Sequence, residues 1–266
     1  GSGRSGRVVS IIPAKGACGA STIASGVAFH WKKKAGKLLL ADLDPLTGTL
    51  SFLLKLRSQF NFMDAVSRSQ GLDENVWKSL ISTTHGVDVL LSPDGTVDGL
   101  HDLASANNIL DFVRYHYETT LIDTAGIYGS WNLSIARNSD DILLVSTNEL
   151  PSLQATQRAL NYLDQNRVDR SKVKLLVNRY NRDVGLSKEV IETALRCEVY
   201  QLLPSDFDGV QRAMIDGKPV PVNTPFGKAL LQLAQKLSGP PAVAGTTVAK
   251  KSSWGGLMNL FAKTSS

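Results

Sequence analysis

Cysteine is almost missing from this sequence: its 266 residues hold two, Cys18 and Cys197, far apart and outside any CxxC or Cys/His spacing. Neither a zinc site nor an iron–sulfur cluster therefore has a ligand set, and the two read as reduced thiols of a cytoplasmic protein. Long apolar runs are missing too. No stretch reaches the ~18 residues that a membrane-crossing helix needs, and no basic-then-apolar leader is visible. A repeat of solenoid period is also absent. What is present is ordinary for a folded body, with 42% hydrophobic and 20% charged residues. The length suits one large α/β domain. A net charge of +5 suits an acidic partner, or is simply a solvated surface.

The Gly/Ser run of residues 1–6 reads as a cloning remnant and is set aside. From Arg7, short apolar strings alternate with helix-length segments. The strings are Val8 to Ile12, Lys37 to Asp42, Val87 to Ser92, Thr119 to Asp123, Asp141 to Ser146 and Val173 to Asn178. They are continuous rather than alternating with polar residues, as in strands buried on both faces of a parallel sheet. Ser21 to Ala35, Leu103 to Tyr117, Ser152 to Asn166 and Ser187 to Arg196 supply helical crossovers. The expected fold is α/β, a doubly wound, mostly parallel sheet over residues 7–238. Residues 239–252, rich in Pro, Gly, Ala, Ser and Thr, read as a flexible linker before a short tail, 253–266.

Directly after the first string comes PAKGACGAST, Pro13 to Thr22, followed by a helix-compatible run. Small residues let backbone N–H groups approach phosphate oxygens, and a helix N-terminus adds partial positive charge. A glycine turn without a ligand is the other reading. The loop resembles that of the MinD/ParA family of deviant Walker ATPases, KGGxGK followed by two Ser/Thr residues. The resemblance implies the P-loop NTPase fold of the MinD-like class and a site for ATP or ADP with Mg²⁺. It places Lys15 as the signature lysine, catalytic as well as nucleotide-binding. Gly16, Ala17, Cys18, Gly19, Ala20, Ser21 and Thr22 become the loop that binds phosphates, with Ser21 also a Mg²⁺ ligand. Ala17 departs from a glycine, and Ala20 stands where the ordinary Walker lysine belongs.

The resemblance continues. Within ADLDP, Asp42 lies toward the metal and Asp44 is the residue that positions the attacking water, while turn formation before Pro45 is the alternative. In TTLIDTAG, Asp123 would hold the Mg²⁺ water shell and Gly126 would offer an amide to the γ-phosphate; a capped turn is the bland alternative. Asn178 and Arg179 match the position that reads adenine, where an amide suits a base offering both a donor and an acceptor. Pro204 and Asp206 fall beside the base. The motifs cover about Arg7 to Leu237.

Loss of the Walker lysine with retention of Lys15 resembles the CpaE/TadZ branch, which localises pilus machinery of the tight-adherence class. That implies a homodimer in the ATP state, slow hydrolysis and pilus or secretion proteins as partners. Two rival branches and a third class stay open. A ParA-like protein would hold DNA through residues such as Lys172, Lys174, Arg182, Arg196 and Arg212. A MinD-like switch would lie peripherally at the inner membrane or cell pole. A nucleotide-locked scaffold would not turn over. In the tail, Trp254, Leu257, Met258 and Phe261 recur at spacings of three and four, widened by Leu260 and flanked by Lys250, Lys251 and Lys263. That pattern suits a short helix on an anionic membrane, or one docked on protein.

Overall fold

The computed structural model describes residues 5–32, 36–95 and 103–239, so the linker and tail lie outside the described residues. In chain order the elements are β1 (Arg7–Pro13), α1 (Ala20–His30), β2 (Leu38–Asp42), α2 (Thr49–Leu54), α3 (Phe62–Ser67), α4 (Glu74–Leu80), β3 (Ser82–Thr84) and β4 (Val87–Leu90). Then follow α5 (Leu103–His116), β5 (Thr119–Asp123), α6 (Ser130–Arg137), β6 (Asp141–Thr147), α7 (Leu150–Gln165), β7 (Val173–Tyr180), α8 (Lys188–Leu195), β8 (Val199–Pro204), α9 (Phe207–Asp216) and α10 (Pro225–Ser238).

One sheet runs β3-β4-β2-β5-β1-β6-β7-β8. Every pair is parallel except β3 with β4. The chain steps outward from β1 to β2 and β4, returns to insert β5 beside β1, then builds the other half through β6, β7 and β8. This doubly wound order puts the reversal at β1, and ligands of such sheets bind outside the strand carboxyl ends at that reversal.

The continuous apolar strings become strands because both faces are covered. In β1, Val9 and Ile11 pack with α1 and α10, while Val8 and Ile12 pack against α5, α6 and α7 on the other side. β2 divides likewise, with Leu38 and Leu40 facing one layer and Leu39 and Ala41 the other. α1 lies against α10 so closely that a Cβ on Gly26 would meet Leu230 at 2.5 Å. Among the described residues, no helix is long and apolar enough to cross a membrane.

The first crossover helix is shorter than its apolar run suggests, since α1 ends at His30 and Trp31 is already extended with φ −64° and ψ 127°. α8 begins one residue later than expected because Ser187 is its cap, accepting from Val190 N–H. The hairpin edge strand β3 and the helices α2, α3, α4 and α6 show no clear periodic signal over their short spans.

Candidate functional site

β1 ends at Pro13, and residues 14–19 form the loop that leads into α1. Gly19 caps α1 with φ +86°, a left-handed conformation that a side chain resists. α1 has neither a side-chain cap nor an acidic residue in its first turn. Its leading N–H groups are therefore left for an anion, with the helix dipole behind them. Ala17 also sits at positive φ, 61°, where glycine would be unstrained.

Two consecutive residues at the end of β7 pin this loop from the side. Asn178 Nδ2 donates to Cys18 O at 2.9 Å, and Arg179 donates to Ala17 O at 2.5 Å. A Cβ on Gly19 would meet Asn178 Nδ2 at 2.5 Å, so glycine is required there for the close approach as well as for φ. Burial pushes the Cys18 thiol above its ordinary value, while nearby Arg179 pulls the other way.

Three carboxylates gather at the ends of β2 and β5 and in the loop that follows β2. β2 and β5 are in register at Asp42 and Asp123, so both side chains reach the same strand ends. Asp123 Oδ2 accepts from Ser21 Oγ at 2.6 Å, while its Oδ1 is buried and has no hydrogen-bond partner among the described residues. Asp42 accepts from Asp44 N–H at 3.0 Å, Leu50 N–H at 3.3 Å and Ser92 Oγ at 3.2 Å. Burial, with the Asp44 charge adding to it, pushes Asp42 up to about 6. Burial and then the Asp42 charge hold Asp123 well above the carboxylate range. Carboxylates crowded this way call for a cation. The orphaned Asp123 Oδ1 beside the Ser21 hydroxyl fits Mg²⁺ held by one hydroxyl, a carboxylate through water, and ligand phosphates. No cluster of three or more His, Cys, Asp or Glu placed to hold a metal directly occurs among the described residues.

Two cavities adjoin the loop. One of ≈ 350 Å³ is lined by Gly16 to Thr22, Asp44, Thr124 and Arg179, together with Pro13, Leu46, Thr47, Thr49 and Ala125. The second, ≈ 530 Å³, is lined by Asn178, Arg179, Pro204 and Asp206, with Phe207, Met214 and Phe226 among its apolar walls. Gly19, Thr22 and Arg179 line both, so the two cavities meet at these residues.

Most of the expected residues thus line the two cavities, and three side chains do not. Lys15 is exposed and lines neither cavity. Asp42, turned into the loop after β2, and Asp123, which accepts from the cavity-lining Ser21, do not line a cavity wall themselves. Asp44 does line it, with Oδ1 accepting from Leu46 N–H at 2.8 Å and Thr47 N–H at 3.2 Å, and Oδ2 accepting from the Thr47 hydroxyl. Thr47, Thr124, Phe207 and Phe226 were not found from sequence. Thr124 follows the Asp123 motif directly and was legible in principle, whereas Phe226 arrives from α10 by tertiary packing alone.

A parallel doubly wound sheet whose first strand opens onto a glycine loop and an uncapped helix N-terminus is the fold of P-loop nucleotide-binding proteins. Within that class the chain has the MinD/ParA type of fold. It superposes on a ParA family ATPase from Chlorobium tepidum with a TM-score of 0.79 at 19% identity, covering 88% of this chain and 100% of the other. The septum site-determining protein MinD of Pyrococcus horikoshii, solved with Mg-ADP, superposes with a TM-score of 0.72 at 19% identity over 88% and 96%. In sequence the chain is similar to the septum site-determining protein MinD of Thermotoga maritima, 23% identical over 247 residues, which is 88% of this chain and 89% of that one. No protein-family model matches the chain.

Proposed function

We propose that this chain is an ATP-binding protein of MinD/ParA type that dimerises in the ATP state and hydrolyses ATP slowly, as a localisation or assembly factor. The observation that carries this reading is the joined pair of cavities. One presents backbone and an uncapped helix N-terminus suited to phosphates, and the other presents an amide, a proline and apolar side chains suited to a base. Ser21 and Asp123 would hold Mg²⁺, whose charge would offset that of the phosphates when bound. The loop amides orient the phosphates, and Asp44 stands where a water beside them is positioned. Ala20 puts no cation on the phosphates from the loop. Losing one stabilising contact of that kind costs roughly 3 to 4 kcal/mol of transition-state stabilisation, hence the slow turnover.

Dimerisation with nucleotide at the interface is supported by an apolar ring around the site. Leu46, Tyr128, Leu150, Val184 and Phe207 are 50–75% exposed. They follow β2, β5, β6, β7 and β8 in turn, so all lie at the strand carboxyl edge of the sheet. Lys15, exposed on the same edge, is free to reach a partner's phosphates. The finer reading is the CpaE/TadZ-like pilus branch, supported by Ala20 with Lys15 retained. A MinD-like membrane role has the MinD sequence relative on its side and would use the tail beyond the described residues. Of the residues that the DNA-binding alternative would use, Lys174 is paired with Asp141 at 2.6 Å, while Arg182, Arg196 and Arg212 are exposed.

Calorimetric titration with ATP and Mg²⁺ tests the central claim, with Ser21→Ala expected to weaken binding only when Mg²⁺ is present. Absence of any nucleotide binding up to low-millimolar concentration sinks the reading.

A further inference from the structure

We infer that Arg179 is the cation that holds the nucleotide's α-phosphate from within the same chain; this rests on the nucleotide-binding reading above and deepens it by naming a phosphate ligand. Among the described residues, Arg179 is the basic side chain that lines the phosphate-side cavity, and it lines the base-side cavity as well. It does so beside Gly19 and Thr22, where the two cavities meet. A nucleotide laid across both, base in one and terminal phosphates in the other, passes this junction with its ribose and α-phosphate.

The side chain is anchored but not used up. One guanidinium N–H donates to Ala17 O at 2.5 Å, and the other terminal nitrogen lies 3.8 Å from where a Gly19 Cβ would stand. It forms no ion pair with a carboxylate among the described residues. The planar fork has five N–H donors, so most remain for an oxyanion. Placement is also costly in backbone terms: Arg179 adopts φ 51°, a left-handed conformation that a non-glycine residue keeps only where its surroundings impose it. That irregularity near the end of β7 sets Asn178 and Arg179 on adjacent carbonyls of the loop, Cys18 O and Ala17 O. Asp44 is the other charged side chain on the phosphate-side wall and repels phosphate, while Ala20 brings no charge to offset it. Arg179 supplies that offset at the inner end of the phosphate chain, where a charge-assisted contact is worth about tenfold in affinity or more.

Titration of the full chain with ADP and with ATP tests this in the wild type, Arg179→Ala, Arg179→Gln and Arg179→Lys, with thermal melts confirming that each variant is folded. Arg179→Ala and Arg179→Gln should each weaken ADP and ATP by the same factor, ~10-fold. Arg179→Lys should recover most of the loss, and Arg179→Gln should show a shallower salt dependence of ADP affinity than the wild type. Wild-type affinity in Arg179→Gln means that the side chain serves only as a tether for Ala17 O, and overturns the inference. A loss confined to ATP places the charge at the terminal phosphate and overturns it too. If wild-type protein binds neither nucleotide, the underlying functional reading falls first, an outcome distinct from both.

Discussion

Ala17 shows how a single side chain departs from what its position wants. Its φ of 61° places it in the left-handed region, which costs an L-residue roughly 1–2 kcal/mol relative to glycine. Part of that is returned because glycine raises the entropy of the unfolded chain. Ala17→Gly should therefore stabilise the protein by about 0.5–1 kcal/mol, read as a higher urea midpoint with an unchanged slope. Gly19 is the opposite case. A Cβ there meets Asn178 Nδ2 at 2.5 Å as well as an unfavourable φ, so the loop has one position that tolerates a methyl at a cost and one that does not. The sequence named both as loop residues but did not tell them apart, because φ is decided by how the loop closes between Val145, which accepts from Ala14 N–H, and Asn178.

At the level of elements, the connections at the strand carboxyl ends behave as a set. Leu150 and Val184 are large, apolar and mostly exposed, at 61% and 60%. Leu150 opens α7, and Val184 lies in the segment that Asn148 holds by donating to Val184 O at 2.6 Å and Asn181 O at 3.0 Å. Changing Leu150 and Val184 to Glu should leave the melting temperature within a degree or two, since exposed substitutions change stability by about 0.5 kcal/mol or less. The same double change should shift the ATP-bound protein from dimer toward monomer in light scattering. An unchanged dimer would remove this edge from the interface. The strands themselves were legible as apolar strings, since burial on both faces erases alternation. The short helices α2, α3 and α4 were not, because runs of six or seven residues show too few turns to display a period and are held by caps such as Asn61 and Asp73.

For the molecule as a whole, the carboxylate group at the site predicts an unusual dependence of stability on pH. Asp42 is pushed up to about 6 and Asp123 is raised well above its ordinary value. Below pH ~3.8 both are protonated folded or unfolded and contribute nothing. Between there and about 6 the native state keeps protons that the unfolded chain releases, so this pair makes stability fall as pH rises. Asp141, which Lys174 and Arg7 hold below its ordinary value despite the opposing effect of burial, acts in the opposite sense but only at more acid pH. His30, lowered by burial, favours the folded state as pH rises toward 6.5, so the pair is isolated by difference. Without Mg²⁺, Asp123→Asn should be more stable than wild type at pH 7.5, with the gap closing toward pH 4. Urea midpoints at the two pH values measure it. An equal gap at both would show that Asp123 carries no buried charge.

By itself the sequence determined that the chain folds as a parallel α/β body, that a loop of small residues follows its first strand, and that Asp42, Asp44, Asp123 and Asn178 fall at or near strand ends. Those features follow from local composition: continuous apolar strings mark doubly buried strands, small residues mark the loop, and polar residues stop the strings where the sheet edge begins. Only the tertiary structure decided which of these residues meet. The register of β2 with β5 brings Asp42 beside Asp123, the return of β7 puts Asn178 and Arg179 on the loop carbonyls, and α10 carries Phe226 to the second cavity. Asn178 and Arg179 reach carbonyls 160 and 162 positions away, and local sequence holds no physical record of such meetings because they are fixed by packing across the sheet.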